Sequence, residues 1–413
     1  MRVLWFTNTS CGYKSQKVSG GGWMTALLNE ITKEPSIQLG ISFCHDDKPN
    51  KAIQGNTTYY PIPNYRKPLK DKFLDVIKHN DFTRDEISWP YYISHFKKII
   101  NDFKPDVIEV FGSELYIGLA TITAKELNIP CCLHVQGILS LYINIFLTPG
   151  MSRHTYICKN GIKSIYSNFQ YLTYWNRSCH REKTILRAVP HIIGRTDWDR
   201  QAMEILAPQA QYHYGGEILR PEFYAPAERT LSSKVTITTT ISKPTYKGFD
   251  LLLKTANILK NEIGLDFIWN VYGNIDPRLA EHLAGIKHKE VNVNLKGVAT
   301  AHELREALLS STLYCHTSYI ENSPNSIAEA QILGIPVVAT NVGGTASMVK
   351  DGETGFLFPS TDPYMAAYFI KKLALDKGLN TNVGNRAKEI AEIRHDKNTI
   401  IKQLINVYHT LLQ

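Results

Sequence analysis

The chain has 413 residues, 43% apolar and 20% charged, with 46 Lys and Arg against 38 Asp and Glu. That length exceeds what one hydrophobic core usually serves, so two globular domains are expected, and the composition excludes fibrous, low-complexity and intrinsically disordered classes. A net charge of +8 admits nucleic acid as a partner, but the cations gather with aromatics in one segment, and no nucleic acid is expected.

Met1 leads directly into the strand pattern Val3-Leu-Trp-Phe-Thr7, without the basic flank and apolar core of a signal peptide, and no run of about eighteen apolar residues follows. A cytoplasmic protein is expected. After a Gly-rich turn, an apolar-periodic helix begins near Trp23 and the strand Gly40-Ile-Ser-Phe-Cys44 follows. Asp106 to Phe111, Pro130 to His134 and His191 to Gly194 repeat the alternation, and Thr196 with Asp199 approximates a capping box. Alternating strands and helices predict a doubly wound sheet. A second cycle runs through Lys234 to Ile241, Asp266 to Tyr272, Val291 to Leu295, Leu313 to His316 and Pro336 to Ala339, and the prolines of Pro221-Glu-Phe-Tyr-Ala-Pro226 mark the boundary. Residues 1–222 and 223–392 are therefore read as two domains, with 393–413 ending in a helix. The seven cysteines form no metal-ligand spacing and read as reduced, mostly buried thiols.

Between Arg153 and Arg187 seven Lys and Arg face the single acid Glu182. Tyr156, Tyr166, Phe169, Tyr171, Tyr174 and Trp175 are interleaved, and Leu141 to Leu147 precedes them. Such a segment suits either an anionic membrane surface or lipid-diphosphate acceptor, or core helices with a solvated basic face.

The most informative stretch is Glu321-Asn-Ser-Pro-Asn-Ser-Ile-Ala-Glu329, followed by Ala330-Gln-Ile-Leu-Gly334 and the strand Pro336-Val-Val-Ala339. Ser323 or Asn325 can cap a helix, Pro324 suits its first turn, and Gly334 with Pro336 ends it. The first amides, on Asn325, Ser326 and Ile327, would point out of the fold and attract a diphosphate. Glu329, one turn deeper, could accept from a ribose diol, while Glu321 on the loop outside could reach the transferred sugar.

This spacing, with its following Gly-x-Pro-Val-Val strand, resembles the signature of retaining family 4 glycosyltransferases. The resemblance implies an α/β GT-B fold, two Rossmann-like doubly wound domains facing an interdomain cleft. The first domain would bind acceptor, the second nucleotide sugar, and the last helix would cross back to the first. Lys247 of Ser242-Lys-Pro-Thr-Tyr-Lys247-Gly248 transfers onto the family's Lys-Gly pair; the Arg usual ahead of it is missing, with Lys243 a substitute that lacks the guanidinium fork. Both lysines could clamp the leaving diphosphate. His134 corresponds to a sugar-contacting His, Gly21 and Gly22 of Ser19-Gly-Gly-Gly22 to a loop facing the donor phosphates, and Gly273 and Gly297 to the approach of nucleobase and ribose. Glu109, Glu114 and Asp197, near strand ends, could position an acceptor hydroxyl. Asn341 to Gly344 and Asp351 to Leu357 match the family's downstream pattern.

The implied reaction transfers a hexose-type sugar from a UDP-sugar or GDP-sugar to a hydroxyl of a glycan or polyprenyl-diphosphate-linked acceptor. Retention of configuration and a role in bacterial surface polysaccharide synthesis come from the resemblance. No metal or other cofactor is expected, since lysine and amides neutralise the phosphates. Peripheral attachment to the inner face of the plasma membrane accompanies a lipid-linked acceptor. A sugar-nucleotide 2-epimerase and an inactive nucleotide-sugar-binding subunit are the alternatives.

Overall fold

The computed structural model describes residues 1–13, 22–46, 50–159, 161–230, 234–242 and 245–413. Two compact units emerge. The first comprises residues 1–143, 160–218 and 396–413; the second comprises 144–159 and 219–395. The division after Ile218 falls four residues before the expected boundary, and the excursion 144–159 was not foreseen. Its attachment to the second unit is local: Ile145 packs on that unit's core, and the Phe146 carbonyl accepts from Thr245 Oγ1 at 3.1 Å. Part of the hydrophobic run Leu141–Leu147 is thus core.

The first unit is built on an eight-stranded sheet. Its strands are β1 (Arg2–Thr7), β2 (Gln38–His45), β3 (Ala52–Gln54), β4 (Thr57–Pro63), β5 (Val107–Phe111), β6 (Cys131–His134), β7 (His191–Gly194) and β8 (Gln211–Tyr214), ordered β3-β4-β2-β1-β5-β6-β7-β8. Only β3 runs antiparallel. The order reverses between β1 and β5, so their carboxyl ends open a crevice. Runs such as Val3-Leu4-Trp5-Phe6 are buried on both faces, as parallel strands covered by helices must be. The capping box expected at Thr196 is present, with Thr196 Oγ1 accepting from the Asp199 amide at 3.1 Å.

The second unit holds β9 (Val235–Thr240), β10 (Phe267–Tyr272), β11 (Val293–Gly297), β12 (Leu313–His316), β13 (Val337–Thr340) and β14 (Phe356–Phe358) in a parallel sheet ordered β11-β10-β9-β12-β13-β14. This is the Rossmann order, with its switch point between β9 and β12. One face carries Leu252, Leu253 and Trp269; the other carries Ile327, Ala328 and Val337. Each fully buried large side chain contributes about 1.5–3 kcal/mol. The expectation of two Rossmann-like units is borne out. All seven cysteines are free thiols, five of them buried and Cys158 exposed.

The loops after β9 and β12 are drawn together at the switch point. Gly248 has φ +71°, and a Cβ there would lie 1.9 Å from the Thr317 carbonyl oxygen. Thr317 Oγ1 donates to the Lys247 carbonyl at 3.2 Å, and the Tyr319 amide donates to the Tyr246 carbonyl at 2.7 Å. Gly248→Ala should therefore cost about 2–3 kcal/mol in urea unfolding. Gly352→Ala, at φ +76° with open space around its Cβ, should cost only about 1 kcal/mol. Equal costs would mean that strain alone, and not the apposition of the two loops, requires Gly248.

Candidate functional site

At the switch point of the second unit, β12 ends at His316 and a loop leads to the helix Asn325–Ile332. Glu321 sits in that loop, only 6% exposed. Its Oε1 accepts from Lys247 Nζ and, at 2.8 Å, from Ser318 Oγ. His316 Nε2 lies 3.4 Å from the same oxygen, within charge range but misaligned for a hydrogen bond. The Glu321 backbone is equally constrained: its carbonyl accepts from the Gly344 amide at 3.0 Å, and a Cβ on Gly343, at φ +51°, would lie 1.9 Å from that oxygen. Burial raises the Glu321 carboxyl, but the Lys247 ammonium and neighbouring His316 outweigh it and hold the pKa down at about 2. Glu321 is therefore an anion throughout the neutral range.

Sequence reasoning left Glu321 outside on the loop; the structure encloses it. A buried carboxylate needs a cation, and Lys247 supplies it, so the two candidates form one ion pair. Glu329 is also buried and accepts a two-point contact from Arg220, Nε at 2.8 Å to Oε1 and Nη2 at 2.9 Å to Oε2. Part of its acceptor capacity is thus already engaged. Arg220 and His316 were missed. His316 ends an apolar strand just as His134 does, which could have marked it; nothing in the sequence pairs Arg220 with a glutamate 109 residues away.

The helix begins at Asn325 as expected, but its entry differs. Pro324 is the N-cap residue and no side-chain cap forms among the described residues. The Ser323 hydroxyl turns to Met348 Sδ at 3.7 Å. The Ile327 amide is engaged by the Pro324 carbonyl at 3.0 Å and so drops out of the expected outward donors. The Ser326 hydroxyl also reaches Tyr314. Gly273 follows β10 at φ +132° and packs on the Ile241 carbonyl, where a Cβ would approach to 1.9 Å; Gly297 ends β11 exposed. Gly22 opens the helix Gly22–Ile31 of the first unit. Gly21 and Lys243 lie outside the described residues.

In the first unit, His134 ends β6 opposite Phe111 of β5. It is buried, stacked on Phe111 with ring centroids 5.1 Å apart, and its Nδ1 lies 2.9 Å from Glu109 Oε1. Tyr408, on the final helix Lys397–Leu411, donates to Glu109 Oε2 and accepts from Trp5 Nε1 at 2.9 Å. A buried chain Trp5–Tyr408–Glu109–His134 results. Glu109 Oε1 accepts a hydrogen bond when Nδ1 carries its proton, which orients the ring with Nε2 on the opposite side. Nε2 has no hydrogen-bond partner among the described residues, and His134 borders a cavity of about 10 Å³ with Leu27, Ile193, Ile400 and Leu404. The sequence suggested Glu109 for an acceptor hydroxyl; the structure commits both its oxygens to this chain.

Glu114 follows β5 at the first unit's switch point. Its Oε1 accepts from the Gly137 amide at 2.6 Å, while Oε2 is enclosed without a hydrogen-bond partner. Burial, with Glu182 adding its negative charge, raises this carboxyl to about 7. Glu182 accepts from Ser113 Oγ and from the Leu139 and Ser140 amides at 2.7–2.9 Å. Asp197 is exposed and binds the Tyr214 hydroxyl.

Part of the basic and aromatic segment 153–187 is used inside the fold, while Arg153, Lys163, Tyr166, Tyr171, Lys183 and Arg187 are exposed. Arg177 and Arg181 are buried against Asp75 and Asp85, and Tyr156 and Trp175 are buried. Among the described residues no helix is long and apolar enough to cross a membrane, and no three His, Cys, Asp or Glu side chains are grouped to hold a metal.

Residues 233–390 match the family of Glycosyl transferases group 1. That stretch contains Lys247, Glu321, Glu329 and the helix between β12 and β13. The capsular polysaccharide biosynthesis glycosyltransferase CapM of Staphylococcus aureus is 32% identical over 101 residues, 24% of this chain and 27% of CapM. The chain thus spans little more than a quarter of that relative's length. Among solved structures, sucrose-phosphate synthase from Thermosynechococcus elongatus superposes with a TM-score of 0.69 at 16% identity, covering 99% of this chain and 98% of the other. HepE of Anabaena, in complex with UDP and glucose, gives 0.64 at 15% identity, covering 98% and 99%. At such identities the likeness shows the fold, which is GT-B.

Two predictions test the first unit's buried carboxylates. Tyr408→Phe removes one donor to Glu109 and should cost about 1–3 kcal/mol in urea unfolding. It should also shift the ¹⁵N resonances of His134, which a loss of packing alone would leave in place. For Glu114 the folded carboxyl, at about 7, lies above its ordinary value of 4.5. The native state then holds the proton more tightly, so this group's contribution to stability falls as pH rises from 4.5 to about 7. Glu114→Gln keeps an acceptor for Gly137 and should gain on the wild type by up to about 3 kcal/mol between pH 4.5 and 8. An unchanged difference across that range would exclude a raised carboxyl.

Proposed function

We propose that this chain is a glycosyltransferase that moves a hexose-type sugar from a UDP-sugar or GDP-sugar to a hydroxyl of a glycan or polyprenyl-diphosphate-linked acceptor. The supporting observation is the ion pair of half-buried Lys247 with buried Glu321 at the switch point, in the loops that lead to a helix N-terminus whose N-cap residue is a proline. The family match over 233–390, the CapM likeness and a structural neighbour holding UDP and glucose all favour a nucleotide-sugar donor. Retention of anomeric configuration and bacterial surface polysaccharide synthesis on the cytoplasmic side belong to the same reading.

In this reading the donor diphosphate lies against the Asn325 and Ser326 amides. Lys247 turns from Glu321 toward it as the bond between the anomeric carbon and the phosphate oxygen breaks and charge grows there. Glu321, relieved of its cation, then faces the positive charge developing on the sugar. The acceptor oxygen bonds to the anomeric carbon on the face that the diphosphate leaves. The departing oxygen keeps the bonding electron pair and takes the acceptor's proton. Glu329, held by Arg220, offers its remaining lone pairs to the ribose diol. Gly273 and Gly297 flank the nucleobase. Lysine and amides neutralise the phosphates in place of a metal.

Release of free nucleoside diphosphate from a panel of UDP- and GDP-sugars, with EDTA present, tests this. One donor should turn over, and Lys247→Ala and Glu321→Ala should each lower the rate by about 100-fold or more. A donor sugar isomerised without nucleoside diphosphate release would favour the epimerase. Activity dependent on a divalent cation would overturn the metal-free assignment.

A further inference from the structure

The helix Leu69–Ile77 of the first unit is packed inside out. At about 100° per residue, Leu69, Phe73 and Ile77 form one stripe and Asp71 and Asp75 the opposite one. The acidic stripe faces the protein. Asp75 binds Lys67 Nζ at 2.6 Å, Arg84 Nε at 2.6 Å and Arg177 Nη1 at 3.1 Å, and Asp71 accepts from Arg84 Nη2 at 3.4 Å. Under the helix lies a cavity of about 150 Å³ lined by Lys67, Asp75, Tyr174 and Arg177 among others. The apolar stripe faces outward, with Leu69 83%, Phe73 67% and Ile77 60% exposed. No residue of the helix is buried. Ion pairs, and not a hydrophobic face, hold it in place.

The patch continues beyond the helix. His79 meets Phe169 with ring centroids 5.3 Å apart, and Ile165 and Tyr166, one turn earlier on the helix Ile165–Ala188, are exposed, as is Ile162. Cations border it: Arg66, Lys70, Lys72 and Lys78 are all exposed, Lys70 and Lys72 on either flank of the stripe. Because Asp71 and Asp75 point inward to partners of their own, the outward face combines large apolar side chains with positive charge. A second copy of the chain on a twofold axis would bring those cations together. Anionic lipid headgroups complement them, and acyl chains accept Leu69, Phe73 and Ile77.

We infer that the Leu69–Ile77 helix is an interfacial anchor that lies in the surface of an anionic bilayer with its Leu69, Phe73 and Ile77 stripe inserted. The anchor helix lies outside the 153–187 segment that the sequence suggested, although Ile162, Ile165, Tyr166 and Phe169 of that segment border it, and the inference is independent of the transferase reading. The full-length protein should co-sediment with vesicles of phosphatidylcholine containing phosphatidylglycerol, and far less with phosphatidylcholine alone. Phe73→Ser/Ile77→Ser should lower that partition about tenfold or more with an unchanged melting temperature, since both side chains are exposed. Lys70→Glu/Lys72→Glu should remove the preference for phosphatidylglycerol. Absence of binding by the wild type, or partition that the serine variant leaves unchanged, would overturn the inference. So would a concentration-dependent dimer that the serine variant disperses, which would make a second copy the occupant.

Discussion

A carboxylate enclosed in protein must be given a cation, a set of hydrogen-bond donors or a proton, because burying it uncompensated costs several kcal/mol. This chain uses all three solutions, and the choice at each position defines its polar architecture. Glu321 has Lys247, Glu329 has Arg220, and Asp75 has Lys67, Arg84 and Arg177. Glu182 is met by a hydroxyl and two backbone amides, and Glu109 by Tyr408 and His134. Glu114 has one amide on one oxygen and nothing on the other, and its carboxyl rises to about 7. Glu321 and Glu114 lie in loops beyond the carboxyl ends of β12 and β5, where backbone direction changes and side chains from neighbouring loops converge.

That distribution separates structural pairs from a pair suited to chemistry. Arg220 holds Glu329 by two parallel hydrogen bonds, a planar fit that resists rearrangement. Lys247 is a point charge on a flexible stem, so moving its ammonium from one anion to another breaks no matched geometry. An exchange between Glu321 and a ligand phosphate is the inexpensive motion at this switch point, and it requires no movement of the sheet. The loops that carry the pair are pinned instead: Gly248 abuts Thr317 and Gly343 abuts the Glu321 carbonyl. Rigid backbone with one mobile cation is the arrangement that the proposed transfer needs.

The two sheets were legible because their strands are apolar runs that end in turn residues, as in Val337-Val-Ala-Thr340, and period and length suffice to place them. Strand β4, with Thr57-Thr-Tyr-Tyr-Pro-Ile-Pro63, was not, since its prolines argue against a strand and its pairing with β2 and β3 stabilises it. Candidates for the second unit's site were found because they share one continuous motif, but their burial was not: exposure depends on the loops that cover a residue, and Gly343 and Lys247 come from elsewhere in the chain. Arg220 and Tyr408 stayed hidden for the same reason, their partners lying 109 and 299 residues away. The basic aromatic segment stayed open between a membrane-facing surface and core helices with a solvated basic face, because the burial of Arg177 and Arg181 rests on Asp75 and Asp85, which come from elsewhere in the chain.

The entry to the helix Asn325–Ile332 brings these strands of evidence together. A Ser, Thr, Asp or Asn side chain at the N-cap is worth about 1 kcal/mol over a residue that cannot cap, and the chain provides Ser323 and Asn325 on either side of that position. The N-cap itself is Pro324, and the Ser323 hydroxyl turns to a sulfur. Elsewhere the same chain caps fully, at Thr196, Thr300, Asp376 and Asp396. Other helices, such as Ile165–Ala188 and Phe249–Asn257, also start without a side-chain cap, but this start coincides with the switch point at which Lys247 and Glu321 are paired. An intrinsic cap would occupy the amides that an anion must reach, so omitting it lowers stability by about as much as it preserves in binding capacity. Local sequence preference gives way at the place where the proposed donor diphosphate would restore it.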